Sequence, residues 1–380
     1  MKIIVVHILP IHKYPPTFSI LHALNDLGHE VQLITTNMSS SSKSICESLN
    51  IDVINLETKY NIKSNLLIKF IEMFKIKKAI WDIIENENDN NTLIWVFDNS
   101  IKFMKKAFIN KRYIVHFFEL YDELRYYKKL PYPKINQKLV CRNAVKVIHC
   151  EYNRSFIAMA KLRLKRLPVT IPNKPYYNIS FNKNSEITTS KEIRSLMEKL
   201  EGKKIILYQG LLTSERPLEE YIKAVEKLGE DYAFVVLSGG KNIYEGLNST
   251  NYYFIPFINP PYHLEITSHA YIGILSYYPT YNEVSSPLNA LYCAPNKLYE
   301  YSMFGIPMVG NNIPGLTIPF EKFNCGITVE EVIEDEIINA IKNIENDYKQ
   351  MSLNSKSLYS SVDVKKIINK EVLNDLNIGN

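Results

Sequence analysis

Short apolar runs of strand length recur along the chain with helix-patterned segments between them, and this alternation narrows the fold more than any other feature. Lys2–Leu9, Val31–Thr35, Leu93–Phe97, Tyr113–His116 and Val145–His149 form a first series. Lys203–Gly210, Ala233–Leu237, Tyr252–Phe257, Tyr271–Ser276 and Ile306–Gly310 form a second. Runs that are apolar throughout, not alternating, belong to strands buried on both faces, as in parallel sheets. Between the first two runs, Phe18, Leu21, Leu24 and Leu27 share one helical face and Gly28 stops the helix, giving a right-handed β-α-β opening. Pro175–Lys191, polar and poor in large apolar residues, separates the two series. A chain of 380 residues exceeds one ordinary core and suits two domains of roughly 170–200 residues each. The expected fold is α/β with two Rossmann-like domains, over 1–172 and 173–358.

Several function classes are disfavoured at this level. No G-x-G-x-x-G follows the first run, which argues against a nicotinamide or flavin enzyme. The five cysteines (46, 141, 150, 293 and 325) are scattered without C-x-x-C spacing, which points to a reducing cytoplasm and away from structural zinc. Met1 leads directly into a strand, and no apolar run approaches the ~18 residues of a spanning helix. A cytoplasmic protein is expected, peripheral at most on the inner face of the cell membrane. The net charge of +5 hides an asymmetry: residues 101–175 hold 18 Lys/Arg against 4 Asp/Glu, leaving the rest of the chain net acidic. Basic residues there interleave with apolar ones, as in Lys161–Leu167, a composition suited to an anionic membrane surface. No nucleic-acid-binding motif accompanies the charge, so no nucleic acid partner is expected.

The most informative stretch is Asn289–Gly310, N-A-L-Y-C-A-P-N-K-L-Y-E-Y-S-M-F-G-I-P-M-V-G. Pro295 and Asn296 mark a helix start with Asn296 as the N-cap. Lys297–Phe304 gives about two turns, and Gly305 falls where a left-handed C′ residue belongs. Glu300 lies one turn in, on the side of Asn296 and Lys297. The free N–H groups and partial positive charge of a helix start suit a phosphate. A carboxylate one turn further along can accept hydrogen bonds from both hydroxyls of a ribose. Together they read as a nucleoside-diphosphate cradle, although Glu300 taken alone serves the helix dipole equally well.

N-K-x-Y-E-Y-x-x-x-G-x-P over 296–307 resembles the C-terminal signature of the family-four retaining glycosyltransferases, two-Rossmann-domain enzymes of GT-B architecture. The nearest resemblance is to those of capsule, O-antigen (lipopolysaccharide) and exopolysaccharide biosynthesis. L-x-x-L-G-H-E-V-x-L-I-T over 24–35 resembles the family's N-terminal unit, and Gly210–Leu218 its G-R-L-x-x-x-K-G loop. The resemblance implies an acceptor-binding first domain, a donor-binding second domain facing it across a cleft, and a final helix, 359–380, returning to the first. It further implies a nucleotide-diphosphate sugar donor and no metal or cofactor, in keeping with the lack of a D-x-D pair.

Residue by residue, Glu300 matches the second position of the family's Glu-x7-Glu motif and would hold the donor ribose. Tyr292 stands at the first position in place of a carboxylate, and Glu283 is a candidate substitute. Arg216 falls at the loop's lysine position as a diphosphate clamp, while Leu211 replaces its arginine. His116 resembles the histidine that contacts the donor sugar, so His116, Arg216 and Glu300 form the expected catalytic set. Phe257 and Ile258 match the base-binding position. Gly210, Gly239, Asn289, Asn296, Lys297 and Leu298 complete the expected donor set, and His12, Tyr14 and Glu119 are expected to face the acceptor. Asp98, ending its run, is expected to cap the following helix. The expected reaction is sugar transfer to a hydroxyl of a saccharide or lipid-linked saccharide. The alternatives are a nucleotide-sugar 2-epimerase and a non-catalytic partner in polysaccharide assembly.

Overall fold

The computed structural model describes residues 1–59, 65–87, 91–104, 111–120, 136–177, 180–247, 249–279 and 286–376. The chain forms two compact units. Unit 1 comprises Met1–Tyr176, Tyr281–Asn289 and Asp363–Asn380; unit 2 comprises Tyr177–Thr280 and Ala290–Val362.

Unit 1 is built from β1 (Lys2–His7), α1 (Pro15–Asp26), β2 (Glu30–Thr36), α2 (Ser40–Ser48), β3 (Asp52–Leu56), α3 (Leu66–Asn86), β4 (Leu93–Phe97), β5 (Tyr113–Phe117), α4 (Gln137–Asn143), β6 (Lys146–His149), α5 (Tyr152–Leu162) and β7 (Val169–Thr170). Its strands form one parallel sheet in the order β3-β2-β1-β4-β5-β6-β7. At its centre Val5 pairs in register with Leu33 on one side and Trp95 on the other. On one face α3, α4 and α5 pack Met73, Ile76, Ile80, Cys141, Ala158 and Leu162 against Ile4, Val6, Ile94, Val96 and Val115.

Unit 2 follows the same plan with α6 (Lys191–Lys199), β8 (Lys204–Gln209), α7 (Glu219–Leu228), β9 (Tyr232–Ser238), β10 (Tyr252–Pro256), α8 (His263–Thr267), β11 (Ile272–Leu275), the end of α9 (Pro287–Leu291, whose first three residues belong to unit 1), α10 (Asn296–Met303), β12 (Met308–Asn311), α11 (Pro314–Phe323), β13 (Gly326–Val329), α12 (Glu334–Asn346) and α13 (Tyr348–Ser360). Its parallel sheet runs β10-β9-β8-β11-β12-β13. In both sheets the winding reverses beside the first strand, between β1 and β4 and between β8 and β11. Ligands of doubly wound sheets bind outside the carboxyl ends of the strands at that reversal.

After α13 the chain rejoins unit 1 through α14 (Val364–Ile367), which lies against α1. Further on, the Arg112 guanidinium donates to the Leu376 carbonyl at 2.6 Å.

Candidate nucleotide site of unit 2

Helix α10 is fixed on the sheet by Tyr301. Its ring occupies the space above Gly273 of β11, where a Cβ would lie 2.3 Å from it, and its hydroxyl donates to the Leu207 carbonyl at 3.0 Å. At the C-terminus the Ile306 and Gly305 amides bond the Tyr301 and Ser302 carbonyls, both at 3.1 Å. With Gly305 at φ +67 this is the left-handed closure expected for the glycine. The N-terminus differs from expectation. Asn296 is the first helical residue, Pro295 holds the cap position, and no side chain caps the helix start.

Glu300 and Lys297 both come off this helix and both are buried. The Glu300 carboxylate accepts from the Gln209 amide at 2.5 Å through Oε2 and meets His263 Nε2 at 3.1 Å through Oε1. Thr267 donates to the Gln209 carbonyl oxygen at 2.6 Å, which fixes the amide with its NH2 toward Glu300. Each carboxylate oxygen offers about two acceptor positions, so these partners leave capacity for further donors. Gln209, His263 and Thr267 escaped the sequence reading. The one signal was Gln209, a polar residue closing an apolar run at the carboxyl edge of its strand.

Lys297 is the unusual group. Its side chain is 6% exposed, and Nζ has no hydrogen-bond partner among the described residues. The ammonium lies 4.3 Å from the Tyr208 ring centroid and 5.0 Å from that of Tyr277. The Arg216 guanidinium stands 5.1 Å from the same Tyr277 ring. Burial first, and then the Arg216 charge, push the Lys297 pKa well below its usual value, while Glu300 opposes them. Two cations held on shared aromatic faces, one of them, Lys297, lacking an acceptor among the described residues, make a site that an anion would complete. Tyr208 precedes the end of β8 and Tyr277 follows β11, the two strands flanking the winding reversal.

Backbone approach at this spot is open. Gly210 has φ +137, and a Cβ there would sit 3.2 Å from Lys297 Nζ, so only glycine suits the position. Gly239, after β9, lies against Phe257, whose ring is 52% exposed. Ile258 and Leu298 contribute their side chains to the apolar core of the unit, so only their backbone could serve a ligand. Leu211 is exposed and Tyr292 half-buried. Glu283 lies outside the described residues.

Unit 1 holds the remaining expected residues, and two of them, Asn289 and Asp98, are engaged otherwise than expected. Asn289 belongs to unit 1: its side-chain carbonyl accepts from the Leu120 amide at 2.8 Å and its main-chain carbonyl from Arg154 at 2.6 Å. Those bonds make it a tie for the loop after β5, not a member of the unit 2 constellation. His116 is 1% exposed, packed on Trp95, Phe97 and Phe118, with Nδ1 accepting from the Trp95 indole at 3.3 Å. Burial lowers its pKa to about 3, and Nε2 has no hydrogen-bond partner among the described residues. Asp98 accepts from the Phe118 amide at 2.8 Å across the sheet edge, and no side chain caps the turn it opens. Its carboxylate and that of Glu119 act on Tyr14, whose pKa rises to about 12, chiefly through burial. The Tyr14 ring is tilted against that of His7 with centroids 4.7 Å apart, and His12 is half-buried on the short turn before it.

Compared by sequence, the chain matches no protein-family model and no curated protein. Solved structures are similar over the whole chain. HepE of Anabaena in complex with UDP and glucose superposes with a TM-score of 0.65 at 14% identity, covering 100% of both chains. A glycosyltransferase of Rickettsia africae gives 0.68 at 14% identity over 100% of this chain and 99% of its own. A protein assigned as a UDP-N-acetylglucosamine 2-epimerase of Listeria monocytogenes gives 0.63 at 10%, over 100% and 96%. The chain has the two-domain GT-B fold. At these identities the likeness establishes architecture and leaves function to the residues.

Proposed function

We propose that this chain is a retaining glycosyltransferase that uses a nucleoside-diphosphate sugar and delivers the sugar to a hydroxyl of a saccharide or lipid-linked saccharide in surface-polysaccharide assembly. The observation that carries the reading is Lys297, a buried ammonium without a hydrogen-bond acceptor among the described residues, beside the Arg216 guanidinium. A diphosphate supplies an acceptor oxygen for Lys297, and Arg216 adds a planar fork suited to it.

Glu300, one turn along α10, receives the ribose hydroxyls, and the exposed Phe257 ring beside Gly239 offers a face to the base. As the glycosidic bond breaks, negative charge grows on the departing diphosphate, where the two cations stabilise it. That leaving phosphate accepts the proton of the attacking hydroxyl. Asn289 and His116 are outside this set.

A thermal-shift screen with UDP, GDP, CMP, ADP and NAD⁺ tests the reading, because a ligand of the native state alone raises the melting temperature. Stabilisation by one nucleoside diphosphate, lost in Lys297→Met, is expected; no shift with any of them overturns the proposal. Likeness to the Listeria protein keeps an epimerase in play. Incubation of a nucleotide sugar without acceptor separates the two, since only an epimerase converts it.

A further inference from the structure

Helix α3 is longer than the sheet it covers. Its 21 residues span about 31 Å, whereas the six residues of β1 span about 20 Å. Contact with the core begins at Glu72 and Met73 and continues through Ile76, Ile80, Trp81 and Ile84. The two turns before that overhang. As the crossover from one parallel strand to another, the helix starts at the carboxyl edge of the sheet, so the overhang projects at that edge.

These turns, and Phe74 just beyond them, are apolar where they meet solvent. Leu67 is 69% exposed, Phe74 64% and Phe70 55%, with Leu66 and Ile71 exposed as well. At 100° per residue Leu67, Phe70, Ile71 and Phe74 fall within one stripe about 100° wide. Lys75, Lys77 and Lys78 follow directly along and beside it. The acidic residue of the segment, Glu72, is held by the Lys59 amide at 3.0 Å, the Thr58 hydroxyl at 2.9 Å and, on its other oxygen, the Lys75 ammonium at 3.0 Å, so its single charge sits against four lysines, at 69, 75, 77 and 78. Exposed charge next to the stripe is therefore positive. Helices α4 and α5, which belong to the basic stretch 101–175, pack on the same face of the sheet as α3.

We propose that the N-terminal part of α3 docks on an anionic lipid bilayer, with Leu67, Phe70 and Ile71 of the overhang and Phe74 just beyond it entering the headgroup boundary and the adjacent lysines meeting lipid phosphates. Apolar side chains at a helix end with lysines alongside is the chemistry of an interfacial helix, and opposite charge commits it to an anionic surface. The proposal rests on this surface and is independent of the donor reading.

The test is flotation of the full chain with vesicles of phosphatidylcholine alone and with one quarter phosphatidylglycerol. Binding to the anionic vesicles is expected, reduced by high salt and weaker by at least about tenfold in Phe70→Ser/Phe74→Ser. Both side chains are largely exposed, so the melting temperature should be unchanged in that variant. Lys297→Met should float like the parent, which separates this proposal from the nucleotide site. Absence of binding, or equal binding by the serine variant, overturns it. So does a concentration-dependent dimer in sedimentation velocity that the same substitutions abolish, because the face would then belong to a second copy.

Discussion

Lys297 Nζ lies 4.3 Å from the centre of the Tyr208 ring with no hydrogen-bond acceptor among the described residues. A buried ammonium so placed costs stability unless a ligand pairs it. Lys297→Met keeps the volume and removes the charge. We expect an unchanged or higher melting temperature by differential scanning fluorimetry. Nucleoside-diphosphate affinity, by titration calorimetry, should fall about 10- to 100-fold, the worth of a charge-assisted hydrogen bond. Undiminished affinity would remove Lys297 from the site.

Proton uptake should accompany binding. The folded-state pKa of Lys297 is held well below 10.5 by burial and by Arg216. At pH values between the folded and unfolded pKa the native protein carries fewer protons here than the unfolded chain, so the burial penalty fades as pH rises. A bound diphosphate restores the charged form. In alkaline buffers the binding enthalpy should therefore depend on the buffer's ionisation enthalpy, and the dependence should vanish in Lys297→Met.

Glu300 does double duty. With both carboxylate oxygens engaged by Gln209 and His263, Glu300→Ala should cost about 1–3 kcal/mol of stability as well as donor affinity. Glu300→Gln, which preserves shape and one acceptor, should show the smaller thermal loss and still bind about tenfold more weakly. Denaturant melts and calorimetry on the pair separate the two effects. Full affinity in the glutamine variant would sink the ribose assignment.

Asn289→Ala should do the opposite. The variant gives up the acceptor for the Leu120 amide, at about 0.5–1.5 kcal/mol by denaturant unfolding. Nucleoside-diphosphate affinity should not change, because the side chain is spent within unit 1. A large loss of affinity would return Asn289 to the donor set.

Buried histidines should make unit 1 acid-sensitive. Burial holds His7 and His116 at about 3, against an ordinary 6.5. Between those values the unfolded chain takes up protons that the folded chain refuses, so stability falls as pH drops, by about 1.4 kcal/mol per unit for each histidine. Melting curves from neutral to acidic pH should show a shallower decline for His116→Gln. An identical slope would mean that His116 titrates freely.

Sequence alone determined what depends on local periodicity and backbone limits. Apolar runs set the strands, and Gly305 ended α10 because a left-handed closure tolerates glycine best. The spacing from Lys297 to Glu300 put both on one helix face. What it left undecided were relations across long stretches of chain. Lys297 became unusual only when the reversal between β8 and β11 brought Tyr208, Tyr277 and Arg216 around its amine. Glu300 acquired Gln209 and His263 from two other segments. Asn289 went the other way: a motif position suggested ligand contact, while bonds to Leu120 and Arg154 within unit 1 engage both its carbonyls. The apolar stripe on α3 is solvent-facing because the helix outruns its sheet. Burial and charge pairing are properties of neighbours, and only the tertiary fold chooses those.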